Sequence, residues 1–270
     1  MSVTGTMLSH PEQAPGGTLW RSSVAIATRG LRAVRRLPSA FLPAMLMPIF
    51  QAIAFSGTFF AITQIPGFPT DRSINWYLPL ACVMGSGFSG LGLGFTAVRD
   101  LESGFYDRML MAPTPRSALL LGPLLACWVR VLVVVTVVIA VGVLFGARLA
   151  GGPIGLVTTY VACLGMSTVA AGWGLGLAFV FRDMRGAALM QLTLFLCIFL
   201  TEAQAPLSIM AGWLYHVARV NPFNNILRLA RVGWLGEVTW NDTWGGLLAM
   251  VVLGSLTMLF AYRGLRKLTA

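Results

Sequence analysis

Six stretches of this chain are apolar over lengths that predict membrane-crossing helices: residues 39–62, 77–98, 127–146, 155–181, 186–201 and 244–262. A spanning helix needs about 20 mostly apolar residues to cross the hydrocarbon core. The fifth stretch is short and stops at Glu202. Residues 19–37 follow a different pattern. Trp20, Val24, Ala27, Leu31 and Val34 recur at spacings of four and three, which makes one apolar stripe on a helix. Arg29, Arg32, Arg35 and Arg36 crowd the other side. An ordinary basic flank explains that charge equally well; the stripe is what favours an amphipathic helix on the inner membrane face, among anionic headgroups. The expected fold is therefore an all-α membrane protein. It has a flexible cytoplasmic N-terminus (1–18), an interfacial helix (19–37), one six-span transmembrane domain (38–262) and a cytoplasmic C-terminus (263–270). Residues 1–17 lack the apolar core of a signal peptide, so the first span is expected to be retained.

Composition agrees with a bilayer as solvent. Of 270 residues, 57% are hydrophobic and 10% charged, against roughly 25% charged in soluble domains. The net charge of +10 comes from 19 basic and 9 acidic side chains. In a soluble protein such a balance points to nucleic acid; here it reads as basic residues gathered in cytoplasmic loops, with no nucleic-acid partner expected. With both termini inside, thirteen of the nineteen basic residues fall in inner segments, including Arg99, Arg108, Arg182 and Arg263. Five (Arg72, Arg148, Arg219, Arg228, Arg231) fall outside, and Arg130 lies within a span. Cys82, Cys127, Cys163 and Cys197 each sit in an apolar run without metal-ligand spacing, and His10 and His216 are isolated. They read as structural residues, and no metal site is expected.

Two connections carry unusual chemistry. In 99–116, Arg99, Asp100, Glu102, Asp107 and Arg108 alternate in sign, while Phe105, Tyr106, Met109 and Leu110 add an apolar side. Pro113 and Pro115 then stop any helix. A short cytoplasmic helix with charges and aromatics suits docking to a partner protein; a mere connector needs no aromatics. The long outer segment, 202–242, is too apolar for a water-exposed loop. Ile209, Trp213, Leu214 and Val217 make one helical face, broken by Pro206 and by Asn221-Pro222. Two short re-entrant helices between spans five and six are expected to pack on the other spans and close the outer side. Two ionisable positions stand out. Arg130, at or inside the inner end of the third span, either snorkels to the inner face or lines a pathway. Glu202, with Gln204, either lines an outer cavity or marks a wet helix end. Trp76, Tyr77, Trp213, Tyr215, Trp234, Trp240 and Trp244 form the aromatic belt expected at the outer interface.

Several signals mislead. Gly85–Gly90 fits G-x-G-x-x-G, but no strand–turn–helix context or later acid supports a dinucleotide site. Gly90/Gly94 and Gly172/Gly176 are G-x-x-x-G pairs that permit close helix approach and are weak evidence for a dimer face. The one lysine, Lys267, follows no glycine-rich phosphate loop, so the chain is not expected to hydrolyse ATP. No Ser/His/Asp arrangement is evident. Asp183 and Glu202 belong to opposite faces and make no general acid–base pair.

These features together resemble the membrane subunits of ABC exporters of the type-2 permease family, which includes daunorubicin-resistance and polysaccharide- or lipid-export permeases. The amphipathic stretch at 19–37 leads into the first span. Arg99-Asp100-Leu101-Glu102-Ser103-Gly104, with Asp107-Arg108 and Ala112-Pro113-Thr114-Pro115, is similar to the family's coupling helix and proline turn. Pro206-Leu207, Trp213-Leu214, Val220-Asn221-Pro222-Phe223 and Arg228 are similar to its outer segment. The chain departs from the pattern at Asn224-Asn225 and at Glu202-Ala203-Gln204. The resemblance implies a multi-pass subunit in the plasma membrane of a bacterium, paired with a second membrane subunit, identical or homologous. Two copies of a separate ABC ATPase carry ATP and Mg, and this chain holds no cofactor. Arg99, Asp100, Glu102, Phe105, Asp107 and Arg108 would couple to the ATPase. Arg130, Glu202, Gln204, Trp213, Asn221 and Pro222 are candidates for the pathway or outer gate. The cargo would be hydrophobic or lipid-like. An ion-coupled secondary transporter or channel is the alternative, and it would call for paired intramembrane acids or an inverted repeat. A membrane-embedded enzyme ranks last.

Overall fold

The computed structural model describes residues 19–36, 38–111 and 115–268; the side chains at 33–44, 107 and 110 lie outside that description. The predicted N-terminal segment 1–18, Pro113 and the last two residues therefore lie outside it too. The described residues form helices α1 (Leu19–Arg36), α2 (Pro38–Thr58), α3 (Phe60–Thr63), α4 (Ser73–Glu102), α5 (Phe105–Met111), α6 (Ala118–Leu144), α7 (Gly152–Phe181), α8 (Arg185–Phe199), α9 (Gly212–Val220), α10 (Pro222–Leu235) and α11 (Trp240–Leu268). A single 3-10 turn, Leu207–Ile209, precedes α9.

Among the described residues, four helices, α4, α6, α7 and α11, are long and apolar enough to cross a membrane. They hold 27 to 30 residues each, or roughly 40–45 Å at 1.5 Å per residue. The predicted spans 77–98, 155–181 and 244–262 lie inside α4, α7 and α11, while the predicted 127–146 overruns the end of α6 at Leu144 by two residues. α6 starts at Ala118, nine positions before the predicted Cys127. The other two predicted spans are shorter apolar helices, Met45–Thr58 within α2 and all of α8. α8 has 15 residues, about 22 Å of helix against a ~30 Å hydrocarbon core.

α7 is the centre of the bundle, with α4, α11, α10 and α8 packed around it. Small residues make that possible. A Cβ at Gly94 would stand 2.7 Å from the backbone of Gly174, and one at Gly90 only 2.4 Å from the Ser167 carbonyl oxygen, so α4 and α7 touch backbone to backbone. On the α11 side, Gly172 lies against the backbone of Thr257 and Met258, and Gly176 against the ring of Phe260. Both G-x-x-x-G pairs are thus spent inside the subunit. α1 packs along the first turns of α6, where Gly122 receives Ile26 and Gly30 faces Ala126. Its packed face is Ser23, Ala27 and Gly30, while Trp20 and Val24 of the apolar stripe stay exposed. Gly104, with φ +66°, takes the left-handed conformation that turns the chain from α4 into α5.

Candidate functional site

At the end of the bundle where α4 begins, three successive residues each hold a different segment. Asn75 donates Nδ2 to the carbonyls of Arg148 and Trp234, both at 2.9 Å, and its Oδ1 accepts from the Arg148 amide at 2.9 Å. The Trp76 carbonyl accepts from Arg231 Nε at 3.2 Å. Tyr77 donates its hydroxyl to the Gln204 carbonyl at 2.8 Å. On the facing side, Trp234 donates Nε1 to Thr159 Oγ1 at 3.0 Å, and Thr159 donates to the Ala230 carbonyl at 2.9 Å.

The charged centre of this end is Glu202 with Arg228 and Arg231. Glu202 is buried and accepts from Arg228 Nε at 2.8 Å and from Arg228 Nη2 at 3.4 Å. Arg231 is only 1% exposed. Its guanidinium lies 3.6 Å over the Trp76 ring and donates to the carbonyls of Glu202 at 3.1 Å and Ala203 at 3.3 Å. The Glu202 carboxylate is 4.0 Å away. A buried guanidinium is tolerable here because its charge is matched and its donors are used. Arg228 and Arg231 stand three apart on α10, so one helical face brings both to one acid. A cleft of about 810 Å³ opens over this centre, lined among others by Trp76, Glu202, Asn225, Arg228, Arg231, Asp242 and Trp244.

Asn221 and Pro222 have a definite structural task. The Asn221 side chain accepts from the Phe223 amide at 3.0 Å and caps α10, with proline at its first turn. Its Nδ2 donates to the carbonyls of Cys197 and Leu200, at 2.7 and 3.0 Å. Those carbonyls end α8 and have no partner within it. Two oddities of the sequence also meet: Asn224 Oδ1 accepts the amide of Glu202 at 3.0 Å. Of the residues predicted for a gate, Glu202, Gln204 and Asn221 are in this knot. Trp213 is 67% exposed on α9, and Pro222 is also exposed. Arg130 lies on α6, one turn past the Ala126 contact with α1, and its Nε is buried without a partner among the described residues. Arg231 and Asn75 were not foreseen as site residues. The signal for Arg231 was available: two arginines three apart after Asn-Pro, with one acid upstream.

The other end of the bundle carries the predicted charged stretch, which is not one short helix: Arg99, Asp100 and Glu102 are in the last turns of α4, and Phe105, Asp107 and Arg108 are in α5 beyond the turn at Gly104. Arg29 of α1 reaches Asp100 at the end of α4, Nη2 to Oδ2 at 2.9 Å, and its guanidinium lies 3.7 Å over the Phe105 ring of α5. Tyr106 is buried, with its ring 5.6 Å from that of Phe179 on α7; burial, with the Asp100 charge adding to it, pushes its phenol well above the ordinary range. Arg99, Glu102 and Arg108 remain exposed, and so does Met111. Asp107 is in α5, with its side chain outside the described part. Asp100 and Phe105 thus hold α5 in place, while Arg99, Glu102 and Arg108 form a free surface.

A family model described as ABC-2 type transporter matches residues 22–235. The chain is 23% identical over 267 residues to the daunorubicin resistance ABC transporter permease protein DrrB1 of Streptomyces coeruleorubidus, covering 95% of this chain and 89% of that one. It is 26% identical over 254 residues to the putative transport permease ycf38 of Pyropia yezoensis, covering 88% and 85%. The ycf38 counterpart of Porphyra purpurea is 26% identical over 226 residues, covering 81% and 75%.

Proposed function

Because this chain belongs to the ABC-2 type transporter family and is a membrane permease, we propose that it is the transmembrane subunit of an ATP-driven exporter for hydrophobic or lipid-like molecules. The observation that carries the reading is the geometry of α5. Its root is fixed by Arg29 and by Tyr106 in the bundle, while Arg108 on α5 and Arg99 and Glu102 on the adjoining last turn of α4 are exposed. A short helix braced against the bundle, beside a charged surface at the end of a span, is what a moving partner needs in order to push on the spans. The partner is a separate ABC ATPase, two copies per complex, which holds ATP and Mg. A second membrane subunit, identical or homologous, completes the pathway.

In this reading the α5 end is cytoplasmic, as the basic residues there favour, and the membrane is the plasma membrane of a bacterium. α2 and α8 complete six spans. α8 falls short of the full thickness, and the turn at 201–206 with α9 and α10 fills the remaining depth as a sheltered outer cap. The Glu202–Arg228–Arg231 knot closes that side, and ATP-driven tilting of the spans opens it.

Affinity purification of the tagged chain from its native membranes in mild detergent tests the reading. A P-loop ATPase is expected in stoichiometric amount, with ATP hydrolysis in the preparation. An intact chain recovered without any ATPase, under conditions that preserve known complexes, would move the assignment to an ion-coupled transporter or channel.

A further inference from the structure

Arg130 is a guanidinium inside a spanning helix, α6, with no charge to match it. Among the described residues no carboxylate pairs with it: the ion pairs there belong to Arg29, Arg185, Arg228 and Arg231. Its Nε is buried without an acceptor. The side chain as a whole is partly exposed, so the tip of the guanidinium, unlike Nε, reaches the surface of the bundle. An unmatched charge within a span is costly and marks a site whose partner has to be named.

The surrounding helices say where that partner lies. α1 covers one face of α6, where Ile26 meets Gly122 and Gly30 meets Ala126. The same face continues through Val129 and Val133, which are exposed. Arg130 stands at the edge of that face, between the part that α1 covers and the part that is open. α1 runs into α2 with one residue between them, and α2 packs on both α1 and α6. α1 therefore marks the level at which the first span begins. Arg130 lies about one turn inside that level, and its long stem lets the head reach the lipid headgroups. Arg32 and Arg116, exposed at the same end, add to the positive field.

We propose that Arg130 binds the phosphate of a membrane phospholipid of net negative charge, with an acyl chain lying along Val129 and Val133. A guanidinium offers two parallel N–H groups to phosphate oxygens, which suits this residue better than a single point charge. A headgroup without an ammonium brings no second cation into a region that is already basic. The lipid sits at the joint of α1 and α6, from which Arg29 reaches Asp100 and braces α5. The site requires only that the chain lies in a bilayer; it stands or falls separately from the ATPase partnership.

The full chain, with whatever purifies alongside it, is stripped of lipid in detergent and titrated with phosphatidylglycerol. Native mass spectrometry counts the bound lipids and gives the affinity of the first. That first phosphatidylglycerol is expected to bind at least about tenfold more tightly than diacylglycerol with the same chains, which lacks the phosphate. Arg130→Gln should abolish the preference, Arg130→Lys should keep part of it, and Arg116→Gln should leave it in place. Equal binding of the two lipids by the wild type would overturn the site without reference to any variant. A preference that survives in Arg130→Gln would overturn the assignment to this residue. Phosphatidylcholine bound as tightly as phosphatidylglycerol would overturn the requirement for net negative charge. Displacement of the first lipid by millimolar inorganic phosphate would replace the lipid by a free anion as the ligand; no displacement supports the lipid.

Discussion

Arg231 and Arg228 share one acid and are not equivalent. Arg231 is buried and donates to three carbonyls from two segments, and its ring contact with Trp76 adds a cation–π term. Truncating it leaves those carbonyls and the Glu202 charge short of partners. Arg231→Ala is therefore expected to cost about 3–5 kcal/mol. Arg228 has a half-exposed side chain, and water can replace part of what it gives Glu202; Arg228→Ala is expected to cost about 1–3 kcal/mol. Thermal unfolding of each variant in detergent, followed by tryptophan fluorescence, measures the difference. Equal losses would mean that the backbone contacts of Arg231 add nothing to the ion pair. Asn221 shows the same economy, since one side chain caps α10 and holds the end of α8.

Among the elements, α7 depends on glycine at contacts where any side chain would collide. Gly94→Ala puts a methyl group 2.7 Å from the Gly174 backbone, which has nowhere to move; a loss of about 1–3 kcal/mol is expected. Gly92, two residues away, faces nothing within 4 Å. Gly92→Ala should gain about 0.5–1 kcal/mol through helix preference alone. Opposite shifts of the melting temperature would confirm that α4 and α7 touch along one face only. The union of α1, α4 and α5 rests on Arg29 and Asp100. If it transmits motion, Arg29→Asp and Asp100→Arg should each weaken coupling by about 1 kcal/mol, roughly fivefold in transport, while the double variant recovers much of it. Transport into inverted membrane vesicles, with expression checked in parallel, reads this directly. A double variant as poor as the singles would show that the pair has no coupling role.

For the whole molecule, the two ends of the bundle differ in kind. One carries a short helix braced from behind, with exposed charges on it and on the end of α4; the other is tied by side chains that bind backbone carbonyls of distant segments. If α5 lies in the cytoplasm, single cysteines replacing Arg108 and Ser208, both exposed, will react with a membrane-impermeant maleimide from opposite sides of sealed vesicles. Reaction from the same side would refute the bundle's orientation across the membrane. The exposed aliphatic faces of α6, α8 and α11, with residues such as Leu144, Leu192 and Val251, are at home only against lipid or a second subunit.

The sequence alone determined that the chain is a helical membrane protein, where its long apolar runs lie, and that the connection after the second predicted span is charge-dense; the structure divides that stretch at Gly104 between the last turn of α4 and the short α5. Hydropathy and periodicity are local properties, and every spanning helix must satisfy its own backbone. The family was also legible, because its motifs hold their order along the chain. The tertiary structure decided the rest. It started α6 at Ala118, nine residues before the predicted span, where the helix meets α1, and it spent both glycine pairs on internal contacts that resembled a dimer face. It also joined Glu202 to arginines 26 and 29 positions away, and Asn75 to Trp234 across 159. No periodicity records such pairings. They exist because backbone carbonyls at helix ends and turns must find donors inside an apolar medium, and the nearest donor in space belongs to whichever helix the packing has placed beside them.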